Sequence, residues 1–333
     1  MPTRTLTSLD VEHLVDGADL LATIEAAHRS LARGRAVQPP PTTLRDAADA
    51  GVDAPTIVPL MAYDASLGLF ALKVLADAPR NRSQGLPAQR STVCVFSTET
   101  GECLAIIDGR ALTRIRTAAV TALATRTLAR PESRVLTLLG SGALAVEHAR
   151  AIAPLYGLDE IRLWSRSAER SARAAAELRG AGLPAVAASV IERAVSGADI
   201  VCTLTPSLEP IFAASLVEDG MHINAVGSPP RPMFSELAPD VFTRAEVVAV
   251  DSRAVALAES GNVRAAIEAR TWEATSLAEL GEVLEGMSPG RDRRADVTVY
   301  NSVGIGLQDL AAAHHVLRRA EERDAGTMVK IRD

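Results

Sequence analysis

Residues 135–149 read "VLTLLGSGALAVEHA". Five residues suited to a buried strand run into Gly140, Ser141 and Gly142, and from Ala143 the apolar spacing turns helical. The pattern is GxGxxA. Gly140 permits a tight turn, Gly142 lets the backbone approach a pyrophosphate, and Ala145 is small enough for helix and strand to pack closely. A helix that opens at such a turn offers free N–H groups and a partial positive charge to phosphates. The stretch predicts a dinucleotide site built from Gly140, Ser141, Gly142, Ala143, Leu144 and Ala145. The end of the next strand, "IRLWSRS" (161–167), has no Asp or Glu to accept hydrogen bonds from a ribose 2′-OH. It offers Ser165, Arg166 and Ser167 instead, a guanidinium between two hydroxyls that suits a 2′-phosphate. The cofactor expected is NADPH, with NADH as the alternative.

A lone GxGxxA is a weak signal, and its context makes it specific. After "RVLTLL" the chain alternates helix-like and strand-like runs: "ALAVEHARAIAPLYG", "EIRLWS", "SAERSARAAAELRGAG", "AVAAS", "VIERAVSGA" and "DIVCTLT", then "MHINAVG" and "EVVAVDS". This alternation predicts an α/β fold with a doubly wound parallel sheet of the Rossmann type. Upstream the pattern differs. "ADLLATIEAAHRSLARG" (18–34) is an amphipathic helix ending at Gly34, with His28 at the edge of its apolar stripe. A proline-rich connection follows, and then "TIVPLMAYD", "LGLFALKVLA", "STVCVFST" and "GECLAIIDG" predict an antiparallel sheet. That sheet has too few helices to cover both faces, which predicts a homodimer.

Composition narrows the function classes. The chain has 333 residues, 47% apolar, with a formal net charge of −6 and dispersed Lys and Arg, so no nucleic-acid partner is expected. It has no charged start followed by an apolar run and no apolar stretch of membrane-spanning length, so no membrane association is expected and the protein reads as cytoplasmic. Cys94, Cys103 and Cys202 lack CxxC spacing and read as buried thiols. His314 and His315 are helix neighbours pointing in different directions, and no metal site is expected.

Nine segments together resemble the ornithine cyclodeaminase/mu-crystallin family over nearly the whole chain: "LMAYD", "LKVLADAPRNRSQGLP", "TGECLAIIDGRALTRIRTAAVTALAT", "LLGSGALA", "GADIVCTLTPS", "HINAVGS", "VDSRAVALAESGNV", "LAELGEVLEG" and "TVYNSVGIGLQDLAAA". The last five resemble the ketimine reductase/mu-crystallin branch most closely. The resemblance implies a Rossmann NADP-binding domain over 116–305, inserted in a discontinuous α+β substrate-binding and dimerisation domain over 1–115 and 306–333. It also implies hydride transfer between a nicotinamide and an imine carbon beside a carboxylate. Lys73 matches the family's active-site lysine and Arg116 its carboxylate-binding arginine. Read as residues, Lys73 lies in an apolar strand that would lower its pKa, and Arg116 stands just before a helix capped by Thr117. By the same resemblance Met61 walls the substrate pocket, with Ser228, Val303 and Gly304 also lining it. Thr117, Thr203, Leu204, Thr205, Ala225, Val226 and Ser302 border the cofactor.

Two positions depart from the family pattern. Pro41 stands where an arginine commonly grips the carboxylate, and Arg45 lies a little further on. In "INAVGSPPRPM" (223–233), Pro229 replaces the cyclodeaminase aspartate two residues after the glycine, and the next acid is Glu236. A proline cannot shuttle protons, whereas reduction of a preformed imine needs only one. The expected activity is NADPH-dependent reduction of cyclic imino acids such as Δ1-pyrroline-2-carboxylate or Δ1-piperideine-2-carboxylate, with other imines or reductive amination as related chemistry. The alternatives are an ornithine-type cyclodeaminase or amino-acid dehydrogenase, and a mu-crystallin-like protein that binds NADPH and a small ligand without turnover.

Overall fold

The computed structural model describes residues 2–45, 54–229, 231–270 and 272–330; Pro230 of the proline-rich turn lies outside the described residues. The chain divides into two compact units, Met1–Thr117 with Ile305–Asp333 and Ala118–Gly304.

The first unit begins with β1 (Thr3–Leu6), α1 (Ser8–Leu14), α2 (Gly17–Ala32), β2 (Ala36–Val37), β3 (Leu44–Arg45), β4 (Thr56–Asp64), β5 (Leu69–Asp77), β6 (Gln89–Ser97) and β7 (Cys103–Asp108), after which α3 (Gly109–Leu128) leads out of it. α2 forms where the apolar period predicts, and the Asp16 carboxylate caps it by accepting from the N–H groups of Ala18 and Asp19. β4 and β5 alternate between buried and more exposed residues along nine positions each, the signature of a sheet with one covered face. The start of α3 corrects the expectation of a helix capped by Thr117. The carboxylate of Asp108 accepts from the N–H of Arg110, so the helix opens at Gly109. Thr117 sits inside it, its hydroxyl donating back to the Thr113 carbonyl at 2.7 Å.

The second unit contains β8 (Val135–Leu139), α4 (Ala143–Ile152), β9 (Glu160–Trp164), α5 (Ala168–Gly180), β10 (Ala185–Ala187), α6 (Ile191–Val195), β11 (Ile200–Thr203) and β12 (His222–Ala225). Then come β13 (Val247–Val250), α7 (Arg253–Glu259), α8 (Gly261–Glu268), β14 (Leu277–Glu279), α9 (Leu280–Leu284) and β15 (Thr298–Asn301). All eight strands run parallel in the order β10-β9-β8-β11-β12-β15-β13-β14. β11, β12, β13 and β15 are buried at every position, as a sheet covered on both faces requires. From β8 the chain winds outward to β9 and β10 and then returns to β11 on β8's other side. The topological switch point, where doubly wound folds bind ligands, therefore lies between β8 and β11.

The chain then returns to the first unit as α10 (Gly306–Glu322) and β16 (Thr327–Val329). The first sheet has the order β16-β1-β7-β6-β5-β4-β2, with β3 also on β4. β1 runs parallel to β7, so the sheet is mixed rather than wholly antiparallel. The short strand β1 and its edge neighbour β16 carry too little alternation to be read from sequence. α10 packs on β4, β5, β6 and α2 and covers one sheet face. The other face presents Ile57, Met61, Tyr63 and Val74, all at least 39% exposed. Among the described residues no helix is long and apolar enough to cross a membrane.

Candidate functional site

Strand register decides where Lys73 points. It lies between Leu60 on β4 and Val93 on β6, both buried, so its stem crosses an aliphatic layer on the helix-covered face. Only 1% of the residue is exposed. Its Nζ donates to Asp309 Oδ1 at 3.1 Å, and Arg116 Nε donates to the same oxygen at 3.0 Å. Arg116 Nη1 donates to Gln308 Oε1 at 2.7 Å, and Gln308 Nε2 meets His28 Nε2 at 3.3 Å. This buried cluster thus draws on α2, β5, α3 and α10. Burial lowers the Lys73 pKa to about 8, Asp309 pulls it back up and Arg116 adds to the fall.

The start of α10 is held by two distant segments. Gln38 accepts from the Leu307 N–H at 2.9 Å, supplying a cap that Ile305 cannot. Gly306 crosses β4 so closely that a Cβ there would lie 2.7 Å from the Met61 carbonyl oxygen. Asp309 follows in the first helical turn, where the helix dipole favours a carboxylate.

The cluster's valences are incomplete. Asp309 Oδ2 is buried with no hydrogen-bond partner among the described residues, and Lys73 uses one of its three N–H bonds. Two cations face one anion, leaving one excess positive charge. Buried charge left unmatched in this way is costly, and an anionic ligand would relieve it.

Two sequence-predicted residues lie apart from this cluster. Met61 is opposite Leu72 in register, so its side chain is on the sheet face away from Lys73 and is 44% exposed. That alternation does not bring Met61, expected to wall the substrate pocket, to the side of the sheet that carries Lys73. Arg45, the candidate replacement for an arginine at Pro41, is exposed on β3 and joins no hydrogen bond or ion pair among the described residues through its side chain. Thr117, expected to border the cofactor, spends its hydroxyl inside α3.

In the second unit the fingerprint forms the turn between β8 and α4. Gly140 has φ +145°, and a Cβ there would lie 2.8 Å from the Leu204 carbonyl oxygen, so only glycine fits between the ends of β8 and β11. Gly142 is the opposite case. A Cβ there meets nothing within 4 Å, and among the described residues no side chain caps the N-terminus of α4. That arrangement fits a pyrophosphate. Ser141 Oγ donates to Ser165 Oγ at 2.8 Å, Ser165 also bonds Ser167 and Ser171, and Ser167 caps α5. All three predicted serines are therefore engaged within the protein. Arg166 is exposed, with no hydrogen bond or ion pair from its side chain among the described residues.

Two buried carboxylates that sequence reasoning did not assign to the site hold the neighbouring loops. Glu236 Oε1 accepts from Thr205 N and Oγ1 at 2.6 and 2.9 Å, and Oε2 accepts from Gly227 N and Ser228 N at 2.8 and 3.1 Å. Burial pushes its pKa up to about 7, and the Thr205 and Gly227 hydrogen bonds pull it down. Thr203 contributes its carbonyl to Val226 and Gly227, and Ala225 its carbonyl to Ser302. Asp251 accepts from Ser302 Oγ, Val303 N and Gly304 N at 2.9, 2.8 and 2.7 Å, and from the Tyr300 hydroxyl. Asn262 Oδ1 receives the N–H groups of Glu236 and Leu237, and its Nδ2 donates to Asn301. Predicted residues 203–205, 225–228 and 302–304 are thus tied into one frame, while the buried Ser228 hydroxyl has no partner among the described residues.

The comparisons with known proteins agree with this architecture. The model of the ornithine cyclodeaminase/mu-crystallin family matches residues 2–324. Ketimine reductase mu-crystallin of Mus musculus is 34% identical over 314 residues, covering 91% of this chain and 92% of the relative. A Delta(1)-pyrroline-2-carboxylate reductase of Bacillus cereus is 33% identical over 267 residues, covering 80% and 82%. Among solved structures, an archaeal alanine dehydrogenase dimer with bound NAD superposes with a TM-score of 0.91 at 28% identity, covering all of both chains. With the family model spanning nearly every residue, the chain belongs to the ornithine cyclodeaminase/mu-crystallin family.

Proposed function

We propose that the protein is an imine (ketimine) reductase, an NAD(P)H-dependent oxidoreductase that reduces the C=N bond of small imino acids such as Δ1-pyrroline-2-carboxylate or Δ1-piperideine-2-carboxylate. The observation that carries this reading is the buried Lys73–Asp309–Arg116 cluster with one excess positive charge. A carboxylate beside the imine balances that charge on Arg116, and Lys73, whose pKa burial lowers to about 8, gives a proton to the imine nitrogen. The nicotinamide, when bound, supplies the hydride to the imine carbon. The two relatives named as reductases act on the same chemical class. At the cyclodeaminase position stands Pro229, and Glu236 does not replace the missing acid, because four donors occupy its two oxygens.

The cofactor in this reading is NADPH. Arg166 is exposed with its guanidinium unengaged among the described residues, and no carboxylate stands at the end of β9 to repel a 2′-phosphate. The functional form is a homodimer in which a second copy covers the outer face around Ile57, Met61, Tyr63 and Val74, as the dimeric archaeal relative supports. Three free cysteines fit a reducing, cytoplasmic setting.

Steady-state NADPH oxidation with a panel of cyclic and linear imines tests the reading, with turnover of a cyclic imino acid expected. No turnover with any imine rejects it, and ammonia released from ornithine would put a cyclodeaminase in its place. A monomer by solution mass measurement would reject the dimer.

A further inference from the structure

We infer that Asp309 is a positioning residue of the reduction, the group that aims Lys73 and Arg116 and holds the proton on Lys73. The inference rests on the imine-reductase reading. A single oxygen, Oδ1, receives both Lys73 Nζ at 3.1 Å and Arg116 Nε at 3.0 Å, so one carboxylate sets the spacing of the proton donor and the carboxylate-binding arginine. Gln308, the preceding residue, takes Arg116 Nη1 at 2.7 Å, which fixes the guanidinium plane. Both residues sit in the first turn of α10, whose start is pinned by Gln38 and by the passage of Gly306 over Met61.

The surroundings leave Asp309 in charge of the Lys73 proton. Of the elements around Lys73, β4 and β6 bring Leu60 and Val93 in register, which carry no charge. α3 brings Arg116, which repels the ammonium, and α2 brings His28, which reaches the cluster through Gln308. Asp309 is the anion that opposes desolvation and Arg116 together. The balanced step is addition of hydride to the imine carbon with transfer of one proton from the Lys73 ammonium to the nitrogen. The C=N double bond becomes a C–N single bond, the nicotinamide is oxidised, and neutral Lys73 regains its proton from solvent.

The test is the pH profile of imine reduction in wild type, Asp309→Asn and Asp309→Glu. Wild-type kcat should fall as pH rises past about 8, where Lys73 loses its proton. Asp309→Asn keeps the shape and removes the charge, so the fall should begin about one pH unit lower. Its kcat at neutral pH should drop about tenfold while dinucleotide affinity is unchanged. Asp309→Glu restores the charge and should return the limb towards the wild-type position, with KM for the imino acid raised by the displaced Arg116. Should Asp309→Asn not fold, the limb of Asp309→Glu carries the test. A wild-type limb in Asp309→Asn, or a lowered limb in Asp309→Glu, overturns the inference. Absence of imine reduction in the wild type would instead overturn the functional reading.

Discussion

Asp309 in the first unit and Glu236 in the second are both fully buried acids, yet their bonding is opposite. Glu236 receives four donors, three of them backbone N–H groups, on two oxygens. Asp309 receives two side-chain cations on one oxygen and leaves the other bare among the described residues. A carboxylate saturated by backbone amides fixes loops, because each bond it makes is lost if the loops separate. One bonded only to side-chain cations, with a lone pair open, keeps charge available to a ligand. Asp251 sides with Glu236, since it gathers Ser302, Val303 and Gly304 into a turn.

Lys73→Met should sharpen this contrast most. With the proton donor gone, kcat should fall by about a hundredfold or more, measured by NADPH oxidation with a cyclic imino acid. Stability should move the other way. The folded pKa of Lys73 lies below its ordinary 10.5, so wild type loses stability as pH falls from there through about 8. Lys73→Met escapes that loss. Its melting temperature should exceed wild type's at pH 7, and the gap should close as pH approaches the ordinary lysine value. A variant that is both inactive and less stable would break the reading of the cluster as an open-valence site.

Glu236→Gln should do the reverse. An amide NH2 cannot accept, so at least one of the Thr205, Gly227 and Ser228 donors would face another donor in a dry interior. The expected cost is about 3 kcal/mol of stability by denaturant unfolding. Any activity lost should appear with every substrate alike. Gly306→Ala should fall between the two classes. Its Cβ meets the Met61 backbone, so α10 must shift, costing about 1–3 kcal/mol and raising KM through the displaced Gln308 and Asp309.

The two sites differed in legibility for the same physical reason. The fingerprint at 140–145 is local, because turn, glycine requirement and helix start lie within a few residues. Lys73 and Arg116 could be named from family-like motifs, but their partner Asp309 lies 236 residues from Lys73, hidden in a helix that is apolar along most of its length. Thr117 reads as a cap because threonine favours that role, yet Asp108, nine residues earlier, had already started the helix. Met61 is buried or exposed according to strand register, and only its pairing with Leu72 places it on the outer face. Glu236 was visible as the first acid after the proline turn, but spacing could not show that two loop segments, one at Thr205 and one at Gly227 and Ser228, close on it.

The same distinction between open and closed valences applies at the end of β9, where the effects are smallest. Ser165 and Ser167 are closed, each spending its hydroxyl on neighbouring protein groups, whereas the exposed Arg166 is open. Arg166→Ala should therefore weaken NADPH about tenfold, an exposed charge-assisted contact being worth little more, and leave NADH binding unchanged. Ser165→Ala should instead loosen the link between the fingerprint turn and β9 and weaken both dinucleotides equally. Fluorescence titration of each variant with the two reduced dinucleotides separates the outcomes. Equal losses in Arg166→Ala would assign that side chain to the shared part of the cofactor and remove the argument for NADPH.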